Sequence, residues 1–265
     1  MSTPSARRAL RRAEPLAKQV AQRVVPESLR FRIRLEGGRV VHVPRVGHVR
    51  WGGMRRLAPI SRDNGYDRGT PIDRWFVEEF LRRHRDDIQG DVLDFYDDRN
   101  CRLFGSDRVR SVEIVHRTPG HPTATIAADL TDAPELASDS FDCVLLTQTL
   151  HVIYDMRAAL ATVQRALRPG GVVLATFPGI SQLSTDEDDD WADSWRFTGA
   201  SAQRFFEEVF PPSEVRTEVV GNVLTATAFL QGIAAEELRP RELAHVDPLF
   251  ELLVTVRARK PASPG

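Results

Sequence analysis

Residues 140–179, SFDCVLLTQTLHVIYDMRAALATVQRALRPGGVVLATFPG, constrain the fold more than any other stretch of the chain. Residues 141–146 form a short apolar run of strand length and composition. Asp155 then stands where a helix N-cap belongs. Met156, Ala159, Leu160, Val163 and Leu167 follow at helical spacing, with Arg157, Gln164, Arg165 and Arg168 on the other faces. Pro169, Gly170 and Gly171 end that helix, and residues 172–177 make a second buried-strand run. Strand, helix, turn and strand form a βαβ unit, whose crossover is right-handed almost without exception. In open α/β sheets ligands bind beyond the carboxyl ends of the strands. That rule points to residues 147–154 and 178–182.

The pieces FDCVLLTQTLHVIYD and LRPGGVVLATFPG together resemble the second half of a class I S-adenosylmethionine-dependent methyltransferase of the small-molecule type 11 kind. The resemblance extends over residues 67–259, and the chain closely resembles a bacterial subgroup often associated with glycan or natural-product genes. It implies a Rossmann-like, doubly wound α/β sheet of seven strands, mostly parallel with an antiparallel edge strand. An N-terminal helical or hairpin extension precedes it. The expected division is a basic helix or tail over 1–34, an extension with a lid helix over 35–90, and a methyltransferase-like domain over 91–260.

The resemblance also assigns cofactor positions residue by residue. DVLDF, 91–95, is the expected first strand, and Asp94 matches the acidic residue near the methionine end of S-adenosylmethionine. A glycine-rich loop normally follows, because glycine permits positive φ and close backbone approach. Here Tyr96 stands where the first glycine belongs, with Asp97 and Asp98 next, and no glycine returns until Gly105. A tyrosine side chain there has the volume to occupy the methionine site, and two carboxylates would repel the methionine carboxylate while attracting its ammonium. VRSVEIVH, 109–116, is the second strand; His116 ends it where the family commonly has Asp or Glu for the ribose hydroxyls. Glu113 lies on the other strand face and does not replace that ligand directly. ATIAADL, 124–130, is the third strand, and Asp129 with Leu130 matches the adenine contact; a turn-capping carboxylate is the alternative for Asp129. Thr147, ending the fourth strand, completes the set.

Methyl transfer from a sulfonium is an in-line displacement that needs alignment more than acid–base groups. A hydroxyl acceptor is helped by a base within hydrogen-bond reach. His151, just past the fourth strand, is the candidate catalytic base, with capping or packing as its alternative. Gln148 and Tyr154 are candidate positioning residues. Residues 59–81, PISRDNGYDRGTPIDRWFVEEFL, contain a helix start, with Thr70 as N-cap, Pro71 at the first position and Asp73 in the capping-box position. By resemblance the segment before it folds over cofactor and acceptor, so Tyr66, Asp67, Arg68 and Arg74 are lid candidates; an Arg–Asp network that anchors the helix is the alternative. Residues 182–194 are acidic, and a solvated loop is the ordinary reading. Trp191, Trp195 and Phe197 either wall off an acceptor pocket or pack the loop on the sheet. Ser201 reads as the N-cap of a helix carrying Phe205, Phe206 and Phe210; 215–220 and 250–256 read as strands, with a helix over 223–238 between them and a charged connector over 239–247.

Composition narrows the function classes. The net charge of -1 argues against a general nucleic-acid-binding surface. Cys101 and Cys143 are too few for a disulfide framework, which favours a reducing cytoplasm. No apolar run is long enough for a membrane span, and no signal-peptide core is visible. The basic stretch 1–34 reads as an amphipathic helix or a solvated tail, and 39–46 after Gly37 and Gly38 as a small β-hairpin. No metal site is expected; the partner expected is a small-molecule substrate, and a homo-oligomer is compatible with the sequence. Two functions stand side by side. One is S-adenosylmethionine-dependent methyl transfer to a hydroxyl of a sugar or secondary metabolite. The other is a methyltransferase fold that no longer transfers methyl, as a pseudoenzyme or a repurposed pocket.

Overall fold

The alternation of apolar runs with helical periods produces a central sheet clad on both faces. A computed structural model describes residues 33–36, 39–42, 44, 47–186 and 191–262. The chain divides into two compact units, Met1–Leu57 and Ala58–Gly265. In the first, β1 (Ile33–Glu36) and β2 (Arg39–His42) pair antiparallel, so the hairpin expected over 39–46 begins earlier, at Ile33, and residues 39–42 are its second strand. Residues 1–32 of the basic segment lie outside the described residues, and its last two residues open β1.

The second unit holds α1 (Ile72–Arg83), β3 (Gly90–Phe95), β4 (Val109–His116), β5 (Ile126–Ala127) and β6 (Phe141–Thr147). It continues with α2 (Met156–Ala166), β7 (Leu167–Pro178), β8 (Thr185–Asp186), β9 (Trp191–Ala192) and α3 (Gly199–Glu207). β10 (Val215–Val220), α4 (Val223–Leu230), α5 (Pro240–Leu243) and β11 (Leu253–Arg259) complete it. Seven strands form one sheet in the order β10-β11-β7-β6-β3-β4-β5. β3, β4, β5, β6 and β7 are parallel, and β11 runs antiparallel to both β7 and β10, so the antiparallel pair closes one end. β8 and β9 form a separate small hairpin.

Strand alternation sends side chains to two cores. Leu93, Val144, Leu146 and Val173 meet α2 and α3 through Leu160, Val163, Phe205 and Phe206 on one face. Val92, Cys143, Leu145 and Leu174 meet α1 and α4 through Phe76, Phe80 and Phe229 on the other. Asp155 caps α2 as expected, accepting the Ala158 amide at 3.2 Å.

Several local expectations are corrected. Pro71, not Thr70, is the residue before α1, because Glu236 takes the Thr70 hydroxyl at 2.6 Å and its amide at 2.9 Å. Thr198, not Ser201, caps α3; Ser201 occupies the third helical position and closes a reciprocal capping box with it. The helix expected over 223–238 stops at Leu230, where Gly232 adopts a φ of 68° and its missing Cβ lets the Ser61 carbonyl approach. The third strand shrinks to two residues, the last expected strand ends at Arg259 rather than 256, and the connector after Arg239 contains α5. Among the described residues no helix is long and apolar enough to cross a membrane.

Candidate functional site

The strand order reverses between β3 and β6: the chain proceeds from β3 outward to β4 and β5, then returns to place β6 on the other side. The carboxyl ends of those two strands flank the crevice that such a reversal creates. Two hollows open there. The first, about 300 Å³, lies between the ends of β3, β4 and β5 and the loop after β6, and is lined by Phe95, His116, Ala128, Asp129, Leu130, Val152 and Ile153 among others. The second, about 350 Å³, is lined by Tyr66, Asp73, Arg74, Thr147, Gln148, His151, Val152 and Asp193 among others. Val152 belongs to both, so they adjoin along the loop after β6.

The candidates divide between the two. His116, Asp129, Leu130 and Tyr154 line the first hollow. Asp129 is exposed, and one of its oxygens accepts the amide and hydroxyl of Thr131, at 2.9 and 2.8 Å. His116 is buried at the end of β4; its Nδ1 accepts the Thr118 amide at 3.1 Å and its ring stacks on His121 at 3.8 Å. Thr147, Gln148, His151, Tyr66 and Arg74 line the second. Arg74 donates to Asn100, whose side-chain amide donates in turn to the Thr147 hydroxyl, at 2.8 and 3.3 Å. Asp73, absent from the lid candidates, also reaches this hollow; loss of water outweighs its contacts with Arg74 and pushes its carboxyl up to about 6.

Tyr96 carries the main question. Its φ is 76°, a left-handed conformation that a bulky residue adopts rarely and glycine adopts freely. The loop backbone thus takes the course expected of a glycine, with a tyrosine on it. The ring does not fill the crevice: it is 54% exposed, outside both hollows, and tilted against His121 at 5.7 Å. Asp97 sits beside it, half-buried, and accepts the Arg99 amide at 2.9 Å. Asp94 is completely buried; burial drives its carboxyl up to about 8, against the Phe95 amide and the Cys101 thiol that both donate to it.

Arg68 lies apart from the hollows, in a two-pronged ion pair with Glu237 at 2.9 and 2.5 Å that ties the segment before α1 to the turn after α4. Trp195 lies on the outside of the loop, its indole donating to the Tyr154 carbonyl at 3.1 Å, and Phe197 packs on Phe177 at 4.3 Å in the core. The side chain of Trp191 and residues 187–190 of the acidic stretch lie outside the described residues. Asp193, in the same stretch, is not solvated: its side chain is 3% exposed and stands 3.0 Å from Nε2 of His151. Residue spacing carries no signal for that pairing, since 42 positions separate the two.

A family model described as a methyltransferase domain matches residues 89–175, a third of the chain. No curated protein matches. Among solved structures, a methyltransferase dependent on S-adenosylmethionine from Archaeoglobus fulgidus is similar at 12% identity and a TM-score of 0.48, over 70% of this chain and 94% of that one. The [4+2]-cyclase SpnF is similar at 15% identity and 0.46, over 74% and 85%. The 1,6-didemethyltoxoflavin-N1-methyltransferase of Burkholderia thailandensis is similar at 16% identity and 0.43, over 75% and 84%.

Proposed function

We infer that the chain is an S-adenosylmethionine-dependent methyltransferase acting on a hydroxyl of a small polar molecule. The observation that carries the reading is Tyr96: its backbone keeps the glycine-like conformation while its ring stays outside the crevice. The match of residues 89–175 to a methyltransferase domain supports it independently. The first hollow suits an adenosyl group. Phe95, Leu130, Val152 and Ile153 give apolar walls for a flat base, Asp129 offers an acceptor at the rim, and His116 stands where ribose hydroxyls need a partner. Thr147 at the end of β6, Asp94 in β3 and the backbone of Tyr96 and Asp97 just past β3 are the groups that would hold the methionine end. When bound, the sulfonium supplies an electrophilic methyl group. The chain's own part is to align the acceptor in the second hollow through Gln148 and Arg74, close it with Tyr66, and take the hydroxyl proton at His151.

Calorimetric titration with S-adenosylmethionine and S-adenosylhomocysteine tests this reading. Saturable binding with both is expected. No detectable heat at millimolar ligand rejects it and favours a methyltransferase fold that has given up the cofactor, the reading to which His116 at the ribose position belongs.

A further inference from the structure

We propose that Asp193 is the positioning residue of a His–Asp dyad, and that it presents Nδ1 of His151 as the proton acceptor for a substrate O–H group. This deepens, and rests on, the reading of the second hollow as an acceptor site.

His151 is 4% exposed, held between the end of β6 and the segment after β9. Its carbonyl accepts the amides of Ser194 and Trp195, both at 3.0 Å, so the peptide carrying Asp193 is docked on the peptide carrying His151. On the side-chain level, Nε2 stands 3.0 Å from an oxygen of Asp193. Asp193 is itself clamped: the Ser184 amide and Arg196 donate to its other oxygen, at 2.9 and 2.6 Å. Burial alone would raise this carboxyl, but His151, the Ser184 amide and Arg196 outweigh it and hold it at about 2. The contact is an ion-pair distance without an aligned hydrogen bond, for that Asp193 oxygen is buried and has no hydrogen-bond partner in this structure. An ionised carboxylate can only accept, so a proton on Nε2 of the imidazole is the one that completes the pair. A neutral imidazole has one N–H, and Nδ1 is then the nitrogen with the lone pair.

Nδ1 is buried and has no hydrogen-bond partner. Gln148, three residues earlier on the same loop, also has a buried side-chain oxygen without a partner. Both residues line the second hollow. A buried polar atom left unpaired costs roughly 1–3 kcal/mol. The unpaired Asp193 oxygen faces Nε2, and the other two, Nδ1 and the Gln148 oxygen, mark a place where a ligand supplies the missing partners. The ligand that suits Nδ1 is a donor, and the one that suits methyl transfer is an O–H. As the acceptor oxygen forms its bond to the methyl carbon, its proton passes to Nδ1, and the electron pair of the broken carbon–sulfur bond stays on sulfur. Asp193 faces the imidazolium so formed, as the carboxylate does in other His–Asp pairs.

The test reads the tautomer of His151 directly, by two-bond ¹H–¹⁵N spectra of protein labelled at histidine, with the signal assigned from His151→Gln. The wild type is expected to show the Nε2–H form in neutral protein. In Asp193→Asn the amide can donate, and the expected result is a shift of His151 toward the Nδ1–H form, with Asp193→Glu retaining the wild-type signature. A wild-type Nδ1–H form, or a tautomer indifferent to Asp193→Asn, overturns the proposal. Should the Asn variant not fold, the wild type and the Glu variant still decide, since loss of the Nε2–H form in either refutes the dyad. Titration of the wild type with S-adenosylhomocysteine is read separately: absence of binding removes the methyltransferase reading without touching the tautomer result.

Discussion

Asp94→Asn separates a buried neutral acid from a buried charge. Asp94 is completely withdrawn from water, and burial raises its carboxyl from the usual 3.8 to about 8. Below about pH 4 it is protonated in folded and unfolded chains alike and adds no pH dependence. Between about pH 4 and 8 the unfolded chain has lost the proton and the folded chain keeps it, so stability falls as pH rises, and the full cost is present above about pH 8. At about 1.4 kcal/mol per pH unit the ceiling is ~6 kcal/mol, and relaxation with an effective dielectric well above that of dry protein reduces it to ~3 kcal/mol. A smaller cost is by linkage a smaller shift, so about half of it develops between pH 5 and 9, roughly 1–2 kcal/mol. Asparagine keeps the shape and can still accept the Phe95 amide, but it cannot ionise. In a unit of this size roughly 1–2 kcal/mol corresponds to about 2–8 °C in melting temperature. Thermal unfolding of both proteins at pH 5 and pH 9 is therefore expected to show the variant gaining on the wild type by that amount at the higher pH. A difference that stays constant across that range, or that favours the wild type at pH 9, refutes the argument.

Other perturbations follow from single contacts. Tyr96→Gly relieves the left-handed backbone at little loss of burial; it is expected to stabilise by ~1 kcal/mol in denaturant unfolding and to bind S-adenosylhomocysteine at least as tightly, and much weaker binding would make the ring part of the site. Gly232→Ala places a Cβ 2.4 Å from the Ser61 carbonyl at positive φ, and a loss of at least ~2 kcal/mol is expected; an unchanged midpoint contradicts the close approach. Asp155→Ala removes the α2 cap and is expected to cost ~1 kcal/mol in the same assay. Arg68→Ala breaks a partly exposed ion pair outside both hollows and is expected to leave S-adenosylhomocysteine affinity within about twofold by calorimetry, whereas a large loss would return Arg68 to the site.

What the chain determines by itself is what its neighbours in sequence can settle. The apolar runs of β3, β4, β6 and β7, the period of α1 and α2, and the Asp155 cap are visible because strand alternation, helical spacing and capping act over a few residues. The place of the crevice follows too, since parallel strands joined by right-handed crossovers leave it at their carboxyl ends. Tertiary structure decided where a residue had a choice of partners. Thr70 abandons its helix for Glu236, Arg68 turns to Glu237, and Gly232 stops α4 because Ser61 must pass it. It also decided that the Tyr96 ring leaves the hollow and that Asp193, drawn from a stretch that reads as solvated, sits buried against His151. Those outcomes depend on which side chains the completed sheet and its loops bring within a few ångströms, and separation along the chain carries no record of that distance.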